Sequence, residues 1–185
     1  MHVPRIVSRV ALVSAALTAS AIKADATTLI RQGLDQLASD NELVLQGRVL
    51  ETHSYWNDDH TFILTNVRVR PSQILKGSHD GDVTFTLMGG TVGEITTLIV
   101  GGADLWPGSD YVLFLSRVDL PGAADRLTVR DHAQGVFDLE NGRAFSQALG
   151  HALLPGPGGR ADVPGGEEGL VLEDLVRQVR AQTNR

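Results

Sequence analysis

The sequence contains no cysteine. That absence excludes disulfides, thiolate zinc sites, iron–sulfur clusters and a cysteine nucleophile. Aromatic residues are scarce at 5 %, and all nine fall between Tyr55 and Phe145, which points to that stretch as the folded core. Lysine is almost missing: Lys23 and Lys76 stand against 14 arginines, a bias that fits the codon usage of a GC-rich genome better than a binding surface. Basic residues number 16 and acidic ones 22, a net charge of −6. Broad nucleic-acid binding, which needs many phosphate-neutralising cations, does not fit that balance. The catalytic patterns G-x-S-x-G and H-E-x-x-H do not occur. With 42 % hydrophobic residues in 185, the chain has the material for one domain with a real core.

Residues 1–26 read as an export signal. Arg5 and Arg9 form a basic start, and Val10 to Ala21 form a run of small or apolar residues. Ala24-Asp25-Ala26 is a small-x-small cleavage site, with Ala19-Ser20-Ala21 as a second. The run is too short to span a bilayer, which takes about 20 residues. No cysteine follows for a lipid anchor, and no arginine pair precedes the run. Cleavage after Ala26 removes Arg5, Arg9, Lys23 and Asp25, and leaves 185 less 26, or 159, residues at −8. The expected compartment is periplasmic or extracellular, with no stable membrane span in the mature chain.

Leu29, Ile30, Leu34 and Leu37 predict a short helix over residues 27–41, capped by Thr27 or Thr28. From Glu42 the pattern turns to strands. Residues 42–56 and 61–75 are two long candidates around Asn57-Asp58-Asp59. A three-residue loop places Val49 opposite Val67, Gly47 opposite Val69 and His53 opposite Ile63. It also sets Arg48 against Arg68 and points Glu51 across to Thr65. That register segregates apolar from polar faces, as a half-buried pair requires. Further strands are expected at 83–88, 94–100, 111–118, 125–131 and 134–147, the last with an Asn141-Gly142 hairpin turn. Residues 111–118 are apolar on both faces and read as a central strand. About seven strands with frequent turns read as an all-β sandwich or barrel. Nine of residues 155–169 are glycine or proline, a linker composition. Leu172, Leu175, Val176 and Val179 then predict a C-terminal helix within 170–185, docked or tethered. The expected organisation is a signal at 1–26, a β-domain with leading helix at 27–154, a linker at 155–169 and the helix.

Several short motifs occur in order: Glu42 to Val49, Trp56, Ile63-x-Thr65, Leu75-Lys76-Gly77, Gly89-Gly90, Pro107-Gly108, Tyr111 to Leu115, and Gln134-Gly135-Val136-Phe137. In this order they resemble exported bacterial proteins of unassigned function. Those in turn resemble the OB-fold barrel of tissue inhibitors of metalloproteinases and netrin modules. The resemblance covers residues 27–147 and implies a small OB-like antiparallel barrel, closed or partly open. Barrels of that kind offer a ligand face on the second and third strands and adjoining loops. The inhibitors chelate a protease zinc through an N-terminal cysteine, and this chain has none, so the resemblance implies a fold and not that mechanism.

The candidate contact residues are Tyr55, Trp56, Asp58, Asp59, His60 and Phe62 at the first hairpin tip, and Trp106 in the 103–109 loop. The leading expectation is a non-enzymatic module that binds a protein or peptide partner, without cofactor. One alternative is a metal-assisted hydrolase using His53, Asp58, Asp59 and His60, since imidazole and carboxylate suit zinc or manganese. Another is a structural envelope protein whose C-terminal helix docks elsewhere. Asp80 and Asp82 read as a solvated turn, and Gly156 to Arg160 as linker rather than a phosphate loop. Ser146 with His132 or His151 is a weak dyad candidate, and Asp138 with Glu140 reads as a solubilising pair on an edge strand. The export reading is checked by N-terminal sequencing of the protein from the envelope or medium. The expected start is Thr27, and a chain still beginning at Met1 overturns the reading.

Overall fold

The computed structural model describes residues 30–151 and 163–183. The export signal, both cleavage sites, Thr27, Thr28 and residues 155–162 of the expected linker lie outside the described residues. In chain order the elements are α1 (Leu34–Asp40), β1 (Leu43–Trp56), β2 (Ile63–Lys76), β3 (Val83–Met88), β4 (Gly90–Val92) and β5 (Ile95–Thr97). There follow β6 (Asp110–Leu120), β7 (Ala123–Thr128), β8 (Val136–Glu140), β9 (Arg143–Ser146), β10 (Leu170–Val171) and α2 (Leu172–Thr183). One antiparallel sheet runs β10-β9-β8-β6-β1-β2-β3, with β7 on the far half of β6, and β4 and β5 form a separate ribbon. β3 and β7 approach each other, but no strand pairing joins them, so the sheet is not closed.

The central position of β6 follows from its sequence. Tyr111 to Ser116 are all buried, because both faces of the strand are covered. Tyr111, Leu113 and Leu115 point into one core with Leu43, Leu45, Val49, Val67, Val69, Val83 and Phe85. Val112 and Phe114, one residue out of phase, point into a second core with Val44, Phe137 and both helices. This is the two-residue period of a strand applied to two apolar faces. The first core lies inside the curl of the sheet; the second lies between the sheet and the helices.

The expected central strand and the Asn141-Gly142 turn are observed. Glu140 pairs with Arg143, and both turn residues have positive φ, 49° and 76°, as a tight hairpin turn requires. The helices pack into the second core, so that core is not confined to the aromatic stretch. α1 is shorter than expected and starts after Gly33, which makes no side-chain cap. Its closing carbonyls are held from outside: Lys76 Nζ donates to Ala38 O at 2.7 Å and Ser39 O at 2.9 Å, a cation at the negative helix end. Asn41 Nδ2 donates to Leu37 O and to Asp131 Oδ2, both at 3.0 Å. α2 is docked, with Leu175 and Val179 fully buried. Before it, residues 163–169 turn under Arg143, whose Nε and Nη2 donate to Glu168 O and Gly169 O.

Three expectations are corrected. The first hairpin does not have a three-residue loop: Trp56 pairs with Ile63, so Asn57 to Phe62 all lie in the loop. The Asn57 side chain organises it, with Oδ1 accepting from Thr61 N and Phe62 N and Nδ2 donating to Pro121 O. Irregularities at Val44/Leu45, Gln46/Gly47 and Val49/Glu51 shift the register further. Val49 therefore faces Val69, His53 faces Asn66, Arg48 faces Arg70 and Glu51 faces Arg68. The arginines turn to carboxylates: Arg48 to Asp110, Arg68 to Glu51 and Asp82, and Arg70 to Asp82. Gly47 is needed at one bulge, since a Cβ there would meet Arg70 O at 2.7 Å and Val69 Cγ1 at 2.8 Å. Secondly, only Ile95–Thr97 of the expected 94–100 strand pairs; Leu98 to Val100 run on as loop. Thirdly, β8 is not an edge: it lies between β6 and β9, so Asp138 is enclosed rather than displayed.

Phe114 is fully buried and packs on Phe137 with centroids 5.8 Å apart. Phe114→Ala should lower the unfolding free energy by about 3–5 kcal/mol, measured by urea denaturation. Arg48→Ala, at an exposed ion pair, should move the midpoint far less.

Candidate functional site

An open cleft of about 970 Å³ lies on the curled side of the sheet. Its floor carries Thr52, Ser54, Thr65 and Val67 of β1 and β2, and Leu87 of β3. In the observed register Thr52 pairs with Val67 and Ser54 with Thr65, so all four share a face. The β4–β5 ribbon and residues 98–106 form one wall, and Asp138, Ser146, Gln147, Leu149 and His151 line the far end.

A chain of hydroxyls ties the ribbon to the floor. Thr65 Oγ1 donates to Gly89 O at 2.7 Å. Its single hydrogen is thereby committed, so Ser54 Oγ donates to Thr65 Oγ1 at 2.9 Å and accepts from Thr91 N at 3.4 Å. Gly90 makes this approach possible. Its φ is 130°, and a Cβ there would stand 2.2 Å from Thr65 Oγ1 and 2.4 Å from Ser54 Oγ.

Gln147 organises the far end. Its Oε1 accepts from Asp104 N at 2.9 Å, and its Nε2 donates to Asp104 O at 2.6 Å and Asp138 Oδ1 at 3.0 Å. The 103–106 loop is thus fastened to β8 and β9 through one side chain. Tyr111 Oη accepts from Trp106 N at 3.0 Å, which fixes the loop backbone and leaves the indole outside. Leu98 is 84 % exposed, Val100 87 % and Trp106 65 %. Three large apolar side chains on one cleft wall, held in water, are unusual for a surface.

Burial pushes the Asp138 carboxyl above the ordinary aspartate range, the charges of Glu140 and Asp104 add to this, and the Gln147 hydrogen bond opposes it. Asp104 and Asp138 are the cleft's acidic groups, and no lysine or arginine is among its described lining residues.

The residues expected to make contact are divided by the fold. Trp106 lines the cleft; Tyr55, Trp56, Asp58, Asp59, His60 and Phe62 do not. Tyr55 lies on the opposite strand face, where it stacks on His53 with centroids 6.4 Å apart and its Oη donates to Asn66 Oδ1 at 3.3 Å. Trp56 and Phe62 are half-buried, while Asp58, Asp59 and His60 are exposed at the tip. His60 has φ 54° and its Nδ1 lies 3.4 Å from Asp58 O. Among the described residues no three histidine, aspartate or glutamate side chains converge to hold a metal. Ser146 Oγ accepts from Ala148 N at 3.2 Å, and no hydrogen bond joins it to His132 or His151. His132 instead lines a separate cavity of about 130 Å³, and burial lowers its pKa.

Sequence reasoning missed the Thr52–Ser54–Thr65 floor, the exposed Leu98 and Val100, and the Gln147–Asp138 link. The floor residues alternate along their strands, but which face they line depends on the bulges. No family model matches the chain, and no curated protein is significantly similar to it.

The Asp138 environment has a measurable consequence. The folded carboxyl keeps its proton to a higher pH than an unfolded one, so folding takes up protons as the pH rises above the usual carboxylate range. This contribution makes stability fall as pH rises through the raised value. Asp138→Asn, which keeps an acceptor for Gln147, should melt above the wild type at neutral pH, with the gap closing on acidification. A gap in Tm that does not vary with pH would contradict the desolvated carboxyl.

Proposed function

We propose that this chain is an exported, non-enzymatic binding module of barrel-like OB architecture, and that it holds a protein or peptide partner in the cleft beside the 98–106 loop. The observation that carries this reading is the conjunction of an open cleft with Leu98, Val100 and Trp106 exposed along one wall. Apolar side chains fixed in water next to a concavity are the usual anchors of a recognition surface, and a tryptophan at such a place tends to dominate the binding energy. The backbone tethers at Trp106 and Asp104 pre-organise the wall, which lowers the ordering cost of association. Ser54 and Thr65 commit their hydrogens within the ribbon tether, so on the floor it is the Thr52 hydroxyl that can donate to a polar backbone.

The hairpin tip is the weaker surface. Its polar side chains are exposed, but Asn57 holds the loop against Pro121, and the cleft does not reach Asp58, Asp59 or His60. The packing of Leu175 and Val179 in the second core favours this reading over docking of α2 on an envelope component.

The test is selection of displayed peptides on the purified chain, followed by NMR mapping of a selected peptide. The largest shifts should fall on the Trp106 indole and residues 98–104, and Trp106→Ala should weaken binding about tenfold or more. Shifts confined to residues 58–62, or an unchanged affinity in Trp106→Ala, would overturn the assignment.

A further inference from the structure

The cleft has a length and a charge sign that together narrow its occupant. Asp138 pairs across the sheet with Tyr111, and Tyr111 with Gly47. The acidic end of the cleft is therefore level with Gly47 of β1, while its ribbon end is level with Ser54. Seven residues of strand, one of them taken up by the bulge at Leu50, leave six steps of about 3.3 Å and put the two ends roughly 20 Å apart. A trough of that length beside a β-sheet suits an extended segment of about six residues better than a compact small molecule.

The edge geometry points the same way. β1 pairs with β6 only over Leu43–Arg48. Beyond that, Val49 exchanges backbone hydrogen bonds with Ser109 and Gly108, and Glu51–Trp56 pair with β2 alone. The second edge of this half-strand pairs with no strand among the described residues, while the side chains of Thr52 and Ser54 project from the sheet face into the cleft. A free edge next to a groove is the arrangement that accepts an added strand.

The charges set polarity. At the Gln147 end stand Asp138, half-buried on β8, and Asp104, exposed on the loop, while Glu140 follows two residues along β8. No lysine or arginine of the described lining offsets them. Asp138 accepts a hydrogen bond from Gln147 Nε2, and His151 is the remaining titratable side chain of the described lining at that end. A positive group entering there meets two carboxylates with no arginine or lysine beside them. A negatively charged occupant would meet uncompensated repulsion in the same place.

We infer that the cleft is built for an extended peptide segment that bears apolar side chains against Leu98, Val100 and Trp106 and one basic side chain at the Asp138–Asp104 end. This rests on the reading of the cleft as a peptide site and adds the chemistry of its occupant.

The experiment uses the purified chain and three short peptides with blocked termini, alternating leucine and serine, that differ only in carrying arginine, glutamine or glutamate at one position. Binding is followed by fluorescence anisotropy. The arginine peptide should bind about tenfold more tightly than the glutamine peptide, a preference worth about 1.4 kcal/mol, and the glutamate peptide should bind most weakly. Added salt should shrink the arginine preference. Asp138→Asn should bring the arginine peptide close to the glutamine peptide, and Trp106→Ala should weaken all three alike. Equal affinities that still depend on Trp106 would overturn the basic-residue inference and leave the peptide site standing. No binding by any of the three would overturn both. Self-association in sedimentation that Trp106→Ala abolishes would assign the cleft to a second copy and likewise overturn the inference.

Discussion

The pairing of β6 with β1 is the constraint on which the rest of the molecule depends. Both strands carry consecutive apolar residues, Tyr111 to Leu115 and Leu43 to Leu45, and every one is buried. A strand apolar on both faces cannot lie at an edge or against water on one side. One face is covered by the sheet curling over itself, which gathers Val67, Val69, Val83 and Phe85 into the first core. The other requires separate elements, and α1 and α2 supply them with Leu34, Leu37, Leu175 and Val179. The curl and the two helices are thus answers to one burial problem.

The cleft is a by-product of the same arrangement. β6 pairs with only the first half of β1, so the second half of β1 pairs with β2 alone. The chain between β3 and β6 returns across this half of the hairpin as the β4–β5 ribbon and the 98–109 loop. Two polar devices hold it there: the Thr91–Ser54–Thr65–Gly89 chain at one end and Gln147 at the other. Each ties a loop backbone group to a side chain that projects from or adjoins the sheet. Ala103 and Leu105 of this loop pack against the first core, while Leu98, Val100 and Trp106 are left outside.

Much of the fold was legible before any coordinates. The alternation in β3, the doubly apolar β6, the Asn141-Gly142 hairpin and the apolar spacing of α2 are local signals, readable because each residue's face follows from its own neighbours in sequence. The first hairpin shows where such reading stops. Face segregation allowed a three-residue loop, but Asn57 side-chain bonds create a longer one, and bulges reset the pairing above it. Asn57 also donates to Pro121 O and Arg48 turns to Asp110, partners more than fifty residues away that no local pattern reveals. Asp138 was misplaced for a related reason: its i, i+2 relation to Glu140 is the same on an edge strand and an interior one. Only the neighbours of β8 tell them apart.

The sequence by itself determined the absence of thiol chemistry, the acidic balance, the predominance of strands, the central strand and the existence of a C-terminal apolar helix. These depend on composition and short-range periodicity, which are properties of the chain. Tertiary structure alone decided the register of β1 on β2, the enclosure of Asp138 and the separation of Trp106 from the hairpin-tip residues. It alone also decided the docking of α2 and the line of hydroxyls beneath the ribbon. Those depend on which surfaces meet, and burial and long-range hydrogen bonding assign a residue its role only once its distant partners are in place.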